Sequence, residues 1–239
     1  MRSKASSFRS VKIISNPQKQ WAQETAEDVA EFLPSASFEV VEKNADVTIC
    51  IGGDGTILFA NHQGKIEGAV LGIGGERSVV CQLRKDSWKE NLDHILKNGK
   101  IERRLVLSAT AGEKTYTAIN DFVVHSKDYR VIWLDIEING ERHRFEADGI
   151  IVSTPTGSFA YAYSAGGKKL NLRSRKIEIV PICSYKREFK PMVLPNSASV
   201  TISAERDVGF VVDGIFIRDL GKDEKVSVKA GGYIEFVGK

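Results

Sequence analysis

Apolar residues follow two different patterns along the chain, and the change falls near residue 100. Before it, short apolar runs alternate with segments of helical spacing. Strands are predicted at 11–15, 38–41, 46–51 and 69–73. Amphipathic helices are predicted at 20–33 and 86–97, with Pro34 ending the first and Asp86 or Ser87 capping the second. Alternating strands and helices predict an α/β domain with a mainly parallel sheet.

After residue 100 the pattern is mostly that of strands. Apolar and polar residues alternate from 131 to 147 around Asn139-Gly140, which is a strong hairpin signal. A turn that leads into a short helix is predicted between Gly157 and Gly167. Further strands are predicted at 177–182, 198–203, 209–212, 215–217, 225–229 and 233–237. We therefore expect an α/β domain at 1–100 and a mostly β, sandwich-like domain at 101–229.

Composition narrows the function classes. Apolar residues make up 42% and charged residues 27% of the chain, which is ordinary for a globular protein, and no apolar run approaches the roughly 20 residues of a membrane span. The net charge of +3 is too small to indicate nucleic-acid binding, and the basic stretch 168–176 predicts a solvated loop. The three cysteines lie far apart, so neither a disulfide framework nor a zinc site is expected. The first ten residues predict a short disordered lead without a secretory signal. We expect a cytoplasmic protein with reduced thiols.

The five residues from Gly52 to Thr56 read GGDGT, between a predicted buried strand and an apolar segment typical of a helix start. Glycines allow the backbone to approach a bulky anion, and a helix N-terminus favours phosphate. A carboxylate beside a phosphate is unfavourable unless the acid orients a hydroxyl that attacks phosphorus, so Asp54 is the candidate catalytic residue. A Walker P-loop is absent. The alternative is a tight glycine turn in which Asp54 caps the helix.

A second motif spans residues 148–167 and reads DGIIVSTPTGSFAYAYSAGG. Its hydroxyl groups supply many hydrogen-bond donors and acceptors, and Tyr161 and Tyr163 could flank a base. The alternative is a serine- and threonine-rich turn that caps a helix. The segment closely resembles DGxxVSTPTGSTAYxxSAGG of the NAD kinases, whereas GGDGT is shared with diacylglycerol and sphingosine kinases. Asn120-Asp121, Pro181-Ile182-Cys183 and Asp213-Gly214 add weaker similarities, and by residue type alone the first and last of these favour turns.

The resemblance to NAD kinases implies transfer of a phosphoryl group to the 2′-hydroxyl of the adenosine ribose of NAD, which gives NADP. The donor would be ATP, another nucleotide or polyphosphate, with Mg²⁺ or another divalent cation but no dedicated set of metal ligands. Asp54 would be catalytic, and the donor phosphates would lie on Gly52, Gly53, Gly55 and Thr56. NAD would be bound by Asn120, Asp121, Asp148, Thr156, Gly157, Ser158, Phe159, Ala160, Tyr161 and Ser164. The family also implies a homo-oligomer, either a dimer or a tetramer, and a last strand, about 230–239, that packs back on the first domain.

Four departures from the family pattern affect the acceptor side. Gly74 stands where the family usually has asparagine, and Phe159 stands where it has threonine. Glu146 stands where a basic residue is common, and Ile215 where some members have glutamine. None of them touches GGDGT. Two other functions therefore stay open: a kinase for a different hydroxyl substrate, such as a lipid or a sugar, and a catalytically weak NAD-binding regulatory module.

Overall fold

The computed structural model describes residues 8–128 and 130–238. The predicted disordered lead falls largely outside them, although Ser10 already begins the first strand. The chain forms two compact units, Met1–Arg103 with Ile234–Lys239, and Arg104–Tyr233. No helix among the described residues combines the length and the apolar content that crossing a membrane requires.

The first unit is an α/β sheet with helices, as predicted. Its strands are β1 (Ser10–Ser15), β2 (Glu39–Val40), β3 (Val47–Ile51), β4 (Ala69–Gly74) and β5 (Leu83–Arg84). Its helices are α1 (Gln20–Ser35), α2 (Asp54–His62) and α3 (Trp88–Asn98). All strand pairs β2–β1, β1–β3, β3–β4 and β4–β5 are parallel. Every residue of β3 and β4 is buried, which is why both read as continuous apolar runs.

One detail of the predicted helices is wrong, and a second is confirmed only in its position. Pro34 does not end α1, which runs on to Ser35. A proline in the last turn removes only one of the few remaining helical hydrogen bonds, so the helix tolerates it there. Ser87 takes the position before α3, but its side chain makes no capping hydrogen bond.

The second unit is built from antiparallel strands. They are β6 (Lys100–Ala111), β7 (Lys114–Ala118), β8 (Asp121–Ser126), β9 (Ile132–Ile138), β10 (Glu141–Ala147), β11 (Gly149–Ser153), β12 (Lys176–Ile182), β13 (Met192–Pro195), β14 (Val200–Ala204), β15 (Val208–Val212), β16 (Ile215–Leu220) and β17 (Val226–Gly238), of which β6 begins and β17 ends in the first unit. One sheet contains β10-β9-β14-β17 and the other β13-β12-β11-β8-β15-β16. A shared apolar core joins side chains of both sheets, and Phe122 of β8 stacks on Phe210 of β15 with ring centroids 5.8 Å apart. This sandwich confirms the predicted fold class.

The hairpin prediction is confirmed and one strand prediction is wrong. Strands β9 and β10 pair around Asn139 (φ 51°) and Gly140 (φ 91°). The separate strands predicted at 225–229 and 233–237 are parts of the continuous β17. The glycines between them suggested a break, yet a Cβ on Gly231 would lie 2.9 Å from the carbonyl carbon of Leu107. The glycine permits a close approach of two strands instead of ending one.

Residues 231–235 (GGYIE) carry β17 from the second unit into the first, where Phe236 pairs with Val70 of β4 in parallel. The short helix α4 (Tyr161–Ser164) follows a 3-10 turn at Gly157–Phe159. A second 3-10 turn lies at Tyr185–Arg187.

Candidate active site

The GGDGT turn connects β3 to α2. Gly52 (φ 141°) and Gly53 (φ 106°) adopt backbone conformations that other residues rarely reach, and a Cβ on Gly52 would lie 2.5 Å from Oγ1 of Thr56. Helix α2 begins at Asp54, with Gly53 in the capping position. The first amides of a helix have no carbonyl partner within it, so the turn presents donors and a favourable dipole to an anion.

Asp54 points to the loop that follows β4. Its carboxylate accepts hydrogen bonds from the backbone N–H groups of Val79 (2.7 Å), Val80 (3.0 Å) and Cys81 (3.2 Å). The Cys81 thiol hydrogen-bonds to the same carboxylate, and burial together with that carboxylate raises the pKa of the thiol, so the thiol stays a donor. Asp54 is therefore not the helix cap of the alternative interpretation. The donors around it hold the half-exposed carboxylate in one place.

An open cavity of about 610 Å³ lies at this turn, and all of its residues belong to the first unit. It contains Gly52, Gly53, Asp54 and Gly55, so the structure brings these predicted residues together. Three acidic and three cationic side chains contribute to its wall. The lining residues are Lys19, Trp21, Gly52, Gly53, Asp54, Gly55, Gly75, Glu76, Arg77, Ser78, Lys85 and Asp86.

Sequence reasoning missed the cations of this cavity. Lys19, whose ammonium donates to the carbonyl of Gly52 at 2.5 Å, lies in the turn before α1. Arg77 and Lys85 follow β4 and β5. A lysine after the Asn16-Pro17 turn was visible in the sequence, but nothing local shows that it reaches the glycine turn.

Gly55 and Thr56 differ in what they offer a ligand. A Cβ on Gly55 would meet no atom within 4 Å, so this exposed residue leaves open space at the start of α2. Thr56 is buried, and its hydroxyl oxygen has no hydrogen-bond partner among the described residues. Its backbone N–H donates to the carbonyl of Gly53 at 3.0 Å, and Thr56 does not line this cavity, so its contact with phosphate stays a prediction.

A second cavity, of about 360 Å³, lies within the second unit. It brings together the predicted residues Asn120, Asp121, Ala160 and Tyr161, and Asp213 also contributes to its wall. Asn120 follows β7 and Asp121 starts β8, so the bend between these strands presents both side chains. The side-chain oxygen of Asn120 is buried without a hydrogen-bond partner among the described residues, which leaves an acceptor for a ligand.

Asp213 positions this bend. Its carboxylate accepts hydrogen bonds from the backbone N–H groups of Ile119 (2.9 Å), Asn120 (2.7 Å) and Asp121 (3.1 Å). Asp213 and Gly214 do form the hairpin turn between β15 and β16, with φ of 51° and 79°. The turn interpretation from residue type is confirmed, but it missed the role of the carboxylate, for which the Asp-Gly similarity was the sole signal.

Asp121 carries a perturbed carboxyl group. It is 4% exposed. Burial, with a smaller contribution from the Asp213 carboxylate, raises the pKa of Asp121 to about 7. Near neutral pH the group therefore exists both as a carboxylic acid that donates a hydrogen bond and as a carboxylate that accepts one. Burial also raises the pKa of Tyr161, to which the nearby Cys183, Asp121 and Asp148 contribute.

The residues of the hydroxyl-rich segment before α4 are mostly buried and make their contacts within the protein. Ser158 is fully buried, donates to the carbonyl of Pro155 (2.7 Å) and accepts from the N–H of Leu170 (2.9 Å). A Cβ on Gly157 would lie 2.2 Å from the carbonyl oxygen of Asn120, so this glycine permits tight packing against the bend. Thr156 is 2% exposed. These three predicted binding residues are thus packed behind the cavity and do not line it.

The remaining predicted residues surround this segment. Phe159 is half-buried, with the Lys169 ammonium 5.8 Å from its ring centroid. The Ser164 hydroxyl donates to the carbonyl of Ala160 at 3.3 Å. Asp148 is half-buried, and its carboxylate accepts a hydrogen bond from the Cys183 thiol, which raises the pKa of that thiol.

Known proteins place this chain in a family. Residues 119–237 match the family model of the ATP-NAD kinase C-terminal domain. A protein named NAD kinase from Chlorobium limicola is 33% identical over 210 residues, which cover 82% of this chain and 72% of that protein. The chain belongs to the NAD kinase family. An NAD kinase from Fusobacterium nucleatum is 30% identical over 234 residues, covering 90% of this chain and 86% of its own length.

Two solved structures of NAD kinase relatives show the same fold. A yeast NADH kinase complexed with NADH has a TM-score of 0.86 at 22% identity, covering 97% of this chain and 84% of its own. An NAD kinase from Archaeoglobus fulgidus in complex with ATP has a TM-score of 0.80 at 23% identity, covering 96% of this chain and 92% of its own.

Structure accounts for one departure from the NAD kinase pattern. A Cβ on Gly74 would lie 2.2 Å from Oγ of Ser78, so the asparagine common in the family does not fit this loop. Ser78 belongs to the loop whose next three amides hold Asp54. The departure therefore belongs to a local arrangement that fixes the acid.

Proposed function

We propose that this chain transfers the terminal phosphoryl group of ATP to the 2′-hydroxyl of the adenosine ribose of NAD, giving NADP and ADP. One observation carries the proposal: in a chain of the NAD kinase family, a glycine turn at a helix N-terminus and a fixed carboxylate, Asp54, line the same cavity. The turn suits the donor phosphates, and the carboxylate suits the attacking hydroxyl.

In the proposed reaction the ribose oxygen forms a bond to the terminal phosphorus while the bond from that phosphorus to the ADP oxygen breaks. The hydroxyl proton passes to Asp54 late, because an alcohol is a far weaker acid than a carboxylic acid with its pKa of about 4. The backbone donors on Asp54 keep it in position and so reduce the reorganisation that the transition state requires.

The second cavity suits the adenosine part of NAD. Asn120 offers an unpaired acceptor, Asp121 can donate or accept, and Tyr161, which is 42% exposed, offers an aromatic face. Asp148, Phe159 and Ser164 surround the same segment. Thr156, Gly157 and Ser158 act by shaping it.

A divalent cation fits this reaction as a partner of the donor phosphates, whose charge it would neutralise. No group of three or more His, Cys, Asp or Glu side chains within 8–128 and 130–238 could hold a metal ion. We therefore propose that Mg²⁺ enters with ATP.

We also propose that the protein is a homo-oligomer, either a dimer or a tetramer, and that it is cytoplasmic. Light scattering checks the first proposal and cell fractionation the second.

The decisive experiment measures product formation by the purified chain. NADP should form from NAD with ATP and Mg²⁺, while diacylglycerol and sugars should not be phosphorylated. Asp54→Asn should reduce kcat by about 10²–10⁴-fold, while calorimetry shows NAD binding unchanged. A lipid or sugar product would favour a different hydroxyl kinase, and tight NAD binding without NADP formation would favour the regulatory module. Full activity of Asp54→Asn would remove the catalytic role of that residue.

A further inference from the structure

Two lysines from distant parts of the chain meet at one tryptophan beside the glycine turn. The ammonium groups of Lys19 and Lys85 each lie 5.9 Å from the ring centroid of Trp21. That distance is within the range of about 6 Å over which a cation is attracted to an aromatic face. All three residues line the cavity that contains Asp54.

Hydrogen bonds to backbone carbonyl groups position both lysines. The Lys19 ammonium donates to the carbonyl of Gly52 at 2.5 Å, which holds it at the glycine turn. The backbone N–H of Lys85 donates to the carbonyl of Gly74 at 2.9 Å, which anchors that residue at the end of β4. Lys19 is thus held at the glycine turn by its side chain, and Lys85 is held at the end of β4 by its backbone.

Neither ammonium group is saturated by the protein contacts at this site. Each can donate three hydrogen bonds. Lys85 is 42% exposed and lies 3.9 Å from Asp86, itself 73% exposed, and such a surface pair contributes little to stability. Both lysines line the cavity that contains the glycine turn, so a chain of several phosphates bound there has a cation available at each lysine.

We propose that Lys19 and Lys85, brought together by Trp21, bind the polyphosphate chain of the phosphoryl donor. This rests on the proposed function, because it places the donor at the same glycine turn. The amides at the start of α2 would then hold the phosphoryl group that is transferred, and the lysines would hold the phosphates behind it. Nucleoside triphosphates and inorganic polyphosphate share this chemistry, so the experiment measures both, and the tighter ligand of the unsubstituted chain identifies the donor class.

The test measures equilibrium binding of Mg²⁺–ATP and of Mg²⁺–tripolyphosphate to the full chain without NAD, by calorimetry. Lys19→Gln and Lys85→Gln should each weaken both ligands by about tenfold or more, since each removes a charged hydrogen-bond donor. The double variant should also lower the salt dependence of binding. Lys89→Gln, an exposed lysine of α3 outside the cavity, is the charge-matched control and should change neither affinity.

Trp21 is tested by pairing two variants. Trp21→Leu should weaken both ligands as a lysine variant does, whereas Trp21→Phe, which keeps an aromatic face, should restore most of the affinity. NAD affinity, measured separately, should stay unchanged in every variant. A loss confined to ATP would overturn the proposal, as would equal losses of ATP and NAD affinity, which would mean that Lys19 only supports the turn. Because no turnover is measured, these outcomes stand even if no NADP is formed.

Discussion

The perturbed carboxyl group of Asp121 should make the stability of the protein depend on pH in a specific direction. The folded pKa of Asp121 is about 7 and its ordinary value is 3.8. A folded pKa above the unfolded one means that the folded state binds the proton more tightly. The stabilisation that comes from protonation of Asp121 is complete below about pH 4 and is lost as the pH rises through about 7.

The size of this effect follows from the shift. Each pKa unit corresponds to about 1.4 kcal/mol, so the full shift corresponds to at most about 4 kcal/mol. Between pH 5 and pH 8 the loss should be about 3 kcal/mol, since about two units of the shift lie in that interval. Asp121 is buried, so little of this is screened by solvent.

Asp121→Asn removes the titrating carboxyl group but keeps the shape of the side chain. Urea unfolding at pH 5 and pH 8 should show the variant gaining about 3 kcal/mol relative to the wild type over that interval. Asp128→Asn is the control. Asp128 is exposed, and the Ser126 hydroxyl, first among several causes, lowers its pKa, so its contribution is lost only at pH values below this window.

A stability difference between Asp121→Asn and the wild type that stays the same at both pH values would refute this reasoning. So would a wild type that gains stability relative to the variant as the pH rises.

Four further predictions concern residues that line the two cavities. Asp213→Asn removes the charge beside Asp121, so the pH midpoint of the stability loss should fall below about 7, as read from unfolding at closely spaced pH values. Gly55→Ala should raise the free energy of unfolding by up to about 1 kcal/mol, because its methyl meets open space on a helix, yet lower the rate of NADP formation by obstructing the phosphate. Gly52→Ala should instead destabilise the protein by about 1–3 kcal/mol, and equal unfolding curves for the two glycine variants would contradict both statements. Tyr161→Ala should raise the KM for NAD more than that for ATP, and equal changes in steady-state kinetics would argue against an adenosine contact.

The sequence by itself determined many of the elements and the segments that carry chemistry, although it left strands such as β6 and β11 unpredicted. Runs such as 46–51 and the alternation around Asn139-Gly140 depend on residues close together in the chain, and the corresponding strands are present. The two motif segments were found for the same reason, because their residues are contiguous. Pro34 and the glycines of β17 misled the prediction, since each is tolerated through a context that local propensity does not contain.

Tertiary structure alone decided which side chains face a ligand. Nothing local indicates that Asp54 is held by the amides of 79–81, or that Asp213 holds the bend at 119–121. Ser158 and Tyr161 looked equally available in one motif, yet packing buries the first and exposes the second. Lys19, Trp21 and Lys85 come close together because the segments that follow β1 and β5 lie beside the same glycine turn. Hydrogen bonds and burial between distant residues arise from the packing of whole elements, and the periodicity of a sequence records only the face that each element buries.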